Sequence, residues 1–140
     1  MEFKRKVYAK MLEWKNEFAP NYALFLKGAR RVGKSTLAVK LGKEEYKTYI
    51  EIRFDKAPDD IKDLFVNSLE DLDSFFNKLQ VFYKTRLYPG KSLIILDEIQ
   101  LFPQARQALK TLLEDKRYDY IETGSLASIT KKSKQILILR

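Results

Sequence analysis

Apolar residues along this chain fall either into short continuous runs or into longer stretches with helical spacing. The runs within 22–27 and 93–96 are continuous, which is typical of strands that are buried on both faces of a sheet. The segment 48–54 alternates only partially and is rich in β-branched and aromatic residues, which indicates a strand nearer the sheet edge. A further strand is predicted over 117–125. The pattern therefore predicts strands that are separated by helices.

Helical spacing of apolar residues marks the segments between these strands. We predict helices over 3–18, 34–42, 102–115 and, as one helix or two, within 59–86. The first helix belongs to an N-terminal segment, 1–20, that ends at Pro20. Within 59–86, either Asp71 or Asp73 would cap the second helix.

Two apolar stretches have alternative interpretations. The aromatic side chains within 72–83 are expected in the core, although a platform for stacking nucleic-acid bases would use the same residue types. The run 136–139, near the end of the sequence, is either a fifth strand or a helix fragment. An apolar run of this kind is an aggregation risk unless it is paired.

A phosphate-binding motif, the Walker A motif or P-loop, lies between the first strand and the helix after it. Residues 28–35 match G-x-x-x-x-G-K-[ST] in the strand–loop–helix context that this motif requires. Backbone N–H groups of the loop and the positive N-terminal end of the helix would bind phosphate. Lys34 would reach the β- and γ-phosphates, and the Ser35 hydroxyl would ligate Mg²⁺. The predicted nucleotide-binding residues are Gly28, Ala29, Arg30, Arg31, Val32, Gly33, Lys34, Ser35 and Thr36.

A second candidate signature, the Walker B pair Asp97-Glu98, follows the apolar run 93–96. At the carboxyl edge of the sheet, Asp97 would hold Mg²⁺ through its water shell, and Glu98 would orient and deprotonate an attacking water. An ordinary strand end would show the same residues. The position after the phosphate loop, with a strand and helices between, favours the catalytic interpretation.

Small polar residues end the predicted strand 117–125. Thr123 and Ser125 would lie at the edge of the sheet where the γ-phosphate is expected, so either could hydrogen-bond that phosphate or the attacking water. The alternative is a polar turn around Gly124. We therefore predict a catalytic contribution from Thr123 or Ser125.

Composition narrows the chemistry that this chain can perform. The sequence contains no cysteine and no histidine, which excludes thiolate and imidazole nucleophiles, bases and metal ligands. Any metal must bind oxygen atoms, and any catalytic base must be a carboxylate, a lysine or a tyrosine. No apolar run approaches the length of a membrane span and the N-terminus lacks a signal-peptide core, so a cytoplasmic protein without membrane partners is predicted.

Three motifs carry a resemblance to a known family. The stretches GARRVGKSTL at 28–37, LIILDEIQLF at 93–102 and YIETGSL at 120–126 resemble those of AAA-type P-loop ATPases. More narrowly, they resemble the N-terminal ATPase domain of uncharacterised prokaryotic ATP-binding proteins with a C-terminal domain of unknown function. The resemblance implies an α/β fold: a parallel sheet of about five strands in the order 5-1-4-3-2, with helices on both faces.

The same resemblance assigns roles to individual residues. It implies ATP and Mg²⁺ as ligands, with Lys34 and Ser35 on phosphate and Mg²⁺. It makes Asp97 the Mg²⁺ carboxylate, Glu98 the water-activating glutamate, and Thr123 or Ser125 the first sensor. The leading hypothesis is an ATPase module that couples its nucleotide state to a partner or to DNA.

The chain departs from the family pattern in one respect. AAA-type modules usually continue beyond the fifth strand with an arginine finger and often a helical lid. Here no arginine is assigned as a finger, and Arg117 and Arg140 are only guesses. We therefore expect a single ATPase domain over 1–140, truncated at its C-terminal end, that binds ATP and hydrolyses it slowly. A missing finger costs about 10³–10⁵ in rate in comparable enzymes.

Two further functions stay open beside ATP hydrolysis. A small-molecule P-loop kinase would transfer phosphate to a hydroxyl, but Asp97-Glu98 fits the activation of water better. The net charge of +8 and the pair Arg30-Arg31 favour a nucleotide-dependent module that binds DNA or a protein partner with little turnover. A third candidate partner is a second copy of the same chain, in a homo-oligomer. The lack of a guanine-recognition motif favours ATP over GTP.

Overall fold

The computed structural model of the chain describes residues 2–28, 33–125 and 137–139. Within these residues five strands form one sheet: β1 (Leu24–Lys27), β2 (Thr48–Arg53), β3 (Ser92–Asp97), β4 (Asp119–Gly124) and β5 (Leu137–Leu139). Their order across the sheet is β2-β3-β4-β1-β5, and the first four run parallel to one another. The predicted order 5-1-4-3-2 is thereby confirmed, as is the place of β2 at the edge.

The described helices flank this sheet: α1 (Glu2–Glu17), α2 (Lys34–Glu45), α3 (Asp59–Asn67), α4 (Leu72–Tyr83) and α5 (Pro103–Asp115). The segment within 59–86 forms two helices, and Asp71 caps the second by accepting a hydrogen bond from the Ser74 backbone N–H at 3.1 Å. None of the described helices is both long and apolar enough to cross a membrane.

The helix α2 extends to Glu45, past residue 42, where the sequence predicts its end. Gly42 therefore lies inside the helix. A Cβ atom at Gly42 would lie 2.8 Å from the ring of Tyr49 in β2. Glycine therefore has a packing role here, since it lets α2 approach the edge strand closely.

Side chains alternate between two hydrophobic clusters, one on each face of the sheet. The helices α1 and α2 pack on the face that carries Leu26 and Ile95. The helices α3, α4 and α5 pack on the opposite face, which carries Phe25 and Leu96. Because β3 is buried along its whole length, its continuous apolar sequence indicates its central position. The expected helices on both faces are confirmed.

The fifth strand corrects the expectation of an entirely parallel sheet. β5 pairs with β1 in the antiparallel direction, with Leu137 opposite Leu26 and Leu139 opposite Leu24. β4 ends at the carboxyl edge of the sheet. A strand that starts from this same edge runs antiparallel to β4, and the chain then needs no crossover to the opposite edge of the sheet. The apolar run 136–139 therefore contains a strand rather than a helix fragment, but this strand opposes the other four.

Two aromatic side chains of the helices differ from the prediction. Phe82, expected in the core, is 48% exposed, because the buried stripe of α4 runs through Phe75, Phe76 and Leu79 and leaves Phe82 on its rim. Trp14 is not among the residues predicted for the core, although its spacing from Val7 and Met11 places it on the same face of α1. It is buried and donates from Nε1 to the carbonyl oxygen of Tyr22 at 2.8 Å.

One carboxylate lies in the core beside α5. Glu122 of β4 is completely shielded from solvent, and no described group donates a well-aligned hydrogen bond to its oxygens. The Nε atom of Arg106 in α5 lies 2.9 Å from Glu122 Oε1. Burial raises the pKa of Glu122 to about 7, since the attraction of Arg106 offsets only part of the desolvation.

We predict that Glu122 makes the folded chain less stable as the pH rises. Its pKa is about 7 in the folded state against an ordinary value of 4.5, so the unfolded chain releases this proton first and stability is lost over that interval. The loss should be about 3 kcal/mol, measured by urea unfolding at about pH 5 and about pH 8.

The matched variants for this prediction are Glu122→Gln and Glu114→Gln, the latter at an exposed position of α5. Glu122→Gln cannot ionise, so most of the loss between the two pH values should disappear. Glu114→Gln should keep the loss seen in the wild type. An unchanged pH dependence in Glu122→Gln would contradict the assignment.

Candidate functional site at the carboxyl edge of the sheet

The described residues of the predicted site come together at the carboxyl edge of the sheet. β1, β3 and β4 are neighbours or next neighbours, and they end at Lys27, Asp97 and Gly124. The backbone N–H of Gly28 donates to the carbonyl oxygen of Gly124 at 3.3 Å, which joins the start of the phosphate loop to the end of β4. Open α/β sheets bind their ligands at this edge.

The helix α2 begins directly after a left-handed residue, Gly33, whose φ is 84°. Glycine adopts this conformation at little cost, whereas a side chain would be strained. The first turn of α2, all of it described, contains no acidic residue. Its backbone N–H groups and the positive end of the helix are therefore suited to an anion such as phosphate.

Lys34 is almost completely buried at the start of α2. Its ammonium group donates to the carbonyl oxygen of Gly28 at 3.1 Å and to Ser125 Oγ at 3.0 Å. A buried ammonium requires such partners, because desolvation without them is costly. Lys34 thus links the phosphate loop to the residue that follows β4.

Asp97 is the centre of a second set of contacts. Ser35 Oγ donates to Asp97 Oδ1 at 2.7 Å, and the Thr123 hydroxyl donates to the same oxygen. Thr123 Oγ1 also accepts the backbone N–H of Glu98 at 3.0 Å. The carboxylate of Asp97 is therefore held between α2 and β4.

The oxygen atoms of Ser35 and Asp97 suit a Mg²⁺ ion, which prefers hard oxygen ligands and keeps several waters. In the described residues no group of three or more acidic side chains could hold a metal on its own. Ser35 and Asp97, the Mg²⁺ ligands that the sequence predicts, lie within hydrogen-bond distance of each other.

Glu98 leaves β3 in a left-handed conformation, with φ 56° and ψ 49°, which is uncommon for a residue other than glycine. The chain then enters a short 3-10 turn, Ile99–Leu101. The Glu98 carboxylate accepts hydrogen bonds from Gln100 Nε2 at 2.9 Å and from Ser125 Oγ at 3.4 Å. The side chain of Glu98 is thereby turned towards the end of β4.

The two residues that the sequence offers as alternatives, Thr123 and Ser125, both reach the site. Thr123 contacts Asp97 and the backbone of Glu98, whereas Ser125 contacts Lys34 and the carboxylate of Glu98. They therefore hold different parts of the site. Their roles in catalysis remain predictions.

Two residues near this edge are missed by sequence reasoning. Gln100 bonds to Glu98, and Glu51 of β2 lies close to Asp97; burial and Asp97 raise the pKa of Glu51. The register of β2 against β3 pairs Glu51 with Ile95, two residues before Asp97, so both acidic side chains face the same side of the sheet. A strand register is needed to find Glu51.

Other expectations fall outside the described residues or differ from them. Ala29, Arg30, Arg31 and Val32 of the phosphate loop lie outside, as does Arg140. Arg117 precedes β4, at the opposite end of that strand from Ser125, and pairs with Asp73 and Asp115 at 2.7 and 3.1 Å. Arg117 is therefore not a finger for the site of its own chain.

Several cavities border the described helices. One, of about 540 Å³, is lined by Ser35, Thr36 and Glu51 and lies next to the predicted Mg²⁺ ligands. A larger one, of about 890 Å³, lies between α3 and α4, on the other face of the sheet from α2, and includes no residue of the predicted site. Its size therefore says nothing about the chemistry at the phosphate loop.

We predict that the Thr123 hydroxyl stabilises this edge of the sheet. Thr123→Val keeps the shape of the side chain but removes a donor to Asp97 and an acceptor for the Glu98 N–H, so the free energy of unfolding should fall by about 3 kcal/mol. Thr123→Ser keeps the hydroxyl and loses only a methyl group, so it should cost about 1 kcal/mol. Urea unfolding measures both. A Ser variant as unstable as the Val variant would refute the hydrogen-bonding role.

Comparison with known proteins places this geometry in a family. A family model for an AAA domain matches residues 20–138. The solved structure of C. elegans PCH-2 superposes with a TM-score of 0.51 and 14% sequence identity, covering 94% of this chain and 39% of that one. At this identity the likeness shows the fold, and this chain spans about two fifths of PCH-2. A search of curated proteins finds no match. The family match extends over most of the sequence, so the chain belongs to the AAA domain family of nucleotide-binding, ATPase-type domains.

Proposed function

We propose that this chain binds ATP with Mg²⁺ and hydrolyses it to ADP and phosphate at the carboxyl edge of the sheet. The observation that carries the proposal is the arrangement of Lys34, Ser35, Asp97 and Glu98, which two sets of hydrogen bonds bring together through Thr123 and Ser125. Each side chain has the chemistry that phosphoryl transfer to water requires.

The phosphates would bind at the start of α2. The backbone N–H groups at the start of α2 would donate to phosphate oxygens, and Lys34 can exchange its bond to Ser125 for one to a phosphate oxygen. Ser35 and Asp97 would hold Mg²⁺, which when bound neutralises charge that develops on the phosphates. Buried Lys34 is suited to the same task, because its charge is poorly screened by water.

Glu98 would act as the general base. Its carboxylate takes a proton from water, the water oxygen forms a bond to the γ-phosphorus, and the bond from that phosphorus to the bridging oxygen breaks. ADP leaves with the bridging oxygen, and inorganic phosphate carries the new one. Thr123 and Ser125 would support this step by fixing the backbone and the carboxylate of Glu98.

We predict that Glu98→Gln binds Mg·ATP with the affinity of the wild type but loses turnover by about a hundredfold or more, because an amide cannot accept the proton. A phosphate-release assay measures turnover and calorimetry measures affinity. Glu114→Gln, at an exposed position of α5, is the matched control and should match the wild type. Full turnover in Glu98→Gln would remove Glu98 from the mechanism.

Two further experiments extend this test. The first asks whether Lys34 contributes to ATP binding, and the second asks whether the phosphate is transferred to water or to another hydroxyl. Lys34→Ala should weaken ATP binding, whereas Lys110→Ala, an exposed lysine of α5, should not. Release of phosphate without any added acceptor supports hydrolysis. A small-molecule kinase would release little phosphate on its own, and with a hydroxyl acceptor it would form ADP and the phosphorylated acceptor instead of free phosphate.

We further propose that the nucleotide state of this domain is coupled to a polyanionic partner such as DNA. The net charge is +8, and the outer face of α1 carries the exposed residues Arg5, Lys6 and Lys10. If these three contact phosphates, affinity for a DNA duplex should fall by about 40-fold between roughly 50 and 200 mM salt.

The control for this surface replaces basic residues elsewhere. Replacement of Arg5, Lys6 and Lys10 by Gln should abolish most of the salt-dependent affinity for DNA. This affinity is measured with and without Mg·ATP. The same replacement at exposed residues of other segments should have a smaller effect: Lys56, Lys78 and Lys110. DNA binding that is absent at low salt would refute this coupling and leave a protein partner.

A further inference from the structure

We propose that Gln100 positions the carboxylate of Glu98 for the attack of water, by tying that carboxylate to the end of β4. The inference deepens the hydrolysis proposed above and rests on it. Gln100 lies outside the phosphate loop and the Asp97-Glu98 pair, and its role is to orient the base rather than to touch the nucleotide.

The side-chain amide of Gln100 uses both of its ends. Nε2 donates to Glu98 Oε1 at 2.9 Å, and Oε1 accepts the backbone N–H of Ser125 at 3.3 Å. The two contacts fix the orientation of the amide, because a flipped amide would place its oxygen against a carboxylate and its nitrogen against an N–H. Gln100 therefore forms a bridge from Glu98 to the first residue after β4.

Both oxygens of the Glu98 carboxylate are engaged in this arrangement. Oε1 accepts from Gln100, and Oε2 accepts from Ser125 Oγ at 3.4 Å. Glu98, Gln100 and Ser125 thus form a closed ring of contacts. Ser125 Oγ also accepts from Lys34, so the ring reaches the residue that would bind phosphate. The carboxylate is held in one place before any ligand arrives.

The backbone explains why a residue so near to Glu98 in sequence can return to it. The left-handed conformation at Glu98 and the 3-10 turn Ile99–Leu101 bring Gln100 over the end of β4. Gly124 leaves room for the amide: a Cβ atom there would lie 3.3 Å from Gln100 Oε1 and 2.9 Å from the ring of Phe25. The strand end and the glutamine therefore fit together.

Positioning of the Glu98 carboxylate should have a measurable effect on the catalytic rate. A glutamate that is half-buried beside solvent samples several rotamers unless neighbours select one. A misplacement of about 1 Å at a reacting group can cost about a hundredfold in rate. Loss of the Gln100 bridge should therefore lower kcat and leave nucleotide affinity unchanged.

The test compares Gln100→Ala and Gln100→Glu with the wild type in the full chain. Both should lose about tenfold to a hundredfold in kcat for phosphate release, with KM and calorimetric Kd for Mg·ATP within about twofold. Gln100→Glu fills the same space but cannot donate in its charged form and repels Glu98, so its loss should equal or exceed that of Gln100→Ala. Gln107→Ala, at an exposed position of α5, is the control and should keep full turnover.

Each other result overturns the inference. Gln100 would only fill space if both variants kept the wild-type kcat, or if KM rose without a loss in kcat. The same conclusion would follow if Gln100→Glu had a higher kcat than Gln100→Ala. Thermal unfolding checks that the variants are folded, and the isosteric Gln100→Glu decides alone if Gln100→Ala unfolds.

Glu98→Gln separates this inference from the proposed hydrolysis. A loss of turnover in Glu98→Gln, with both Gln100 variants unaffected, overturns the positioning role alone. Full turnover in Glu98→Gln overturns the base and the positioning role together.

Discussion

The hydrogen bond from Ser35 to Asp97 is the contact on which the arrangement of the site depends. It joins the first turn of α2 to the end of β3, which is far from α2 in sequence. The strand before α2, β1, is not adjacent to β3 in the sheet. β4 lies between β3 and β1, and Thr123 of β4 donates to the same oxygen. Because Asp97 is buried, its carboxylate needs these donors, and meeting that need fixes three elements relative to one another.

Much of the fold could be predicted because its central strands are encoded locally. The continuous apolar run of β3 indicates burial on both faces, and the partial alternation of β2 indicates an edge. The order of the strands came from the family resemblance. The direction of β5 could not be predicted, because a short apolar run buries the same alternate side chains whichever way it pairs. Its direction follows from the edge at which β4 ends.

The site likewise contains residues that the sequence predicts and residues that it does not. Lys34, Ser35, Asp97 and Glu98 belong to motifs whose spacing reflects their chemistry, so the sequence singles them out. Gln100 and Glu51 carry no such signal, since their contacts depend on the left-handed turn at Glu98 and on the register of β2 against β3. Spacing rules assume regular elements, and they fail for the irregular residues that join a strand to the next helix.

The alternation of β4 has a structural consequence. Thr123 and Glu122 are consecutive residues, so their side chains lie on opposite faces: one beside Asp97, the other beside Arg106 of α5. Because the two residues are joined by one peptide bond, β4 links the contact with Asp97 directly to the contact with Arg106. Arg106 is partly exposed, so these contacts extend from the ligand edge across one strand to the outer surface of α5.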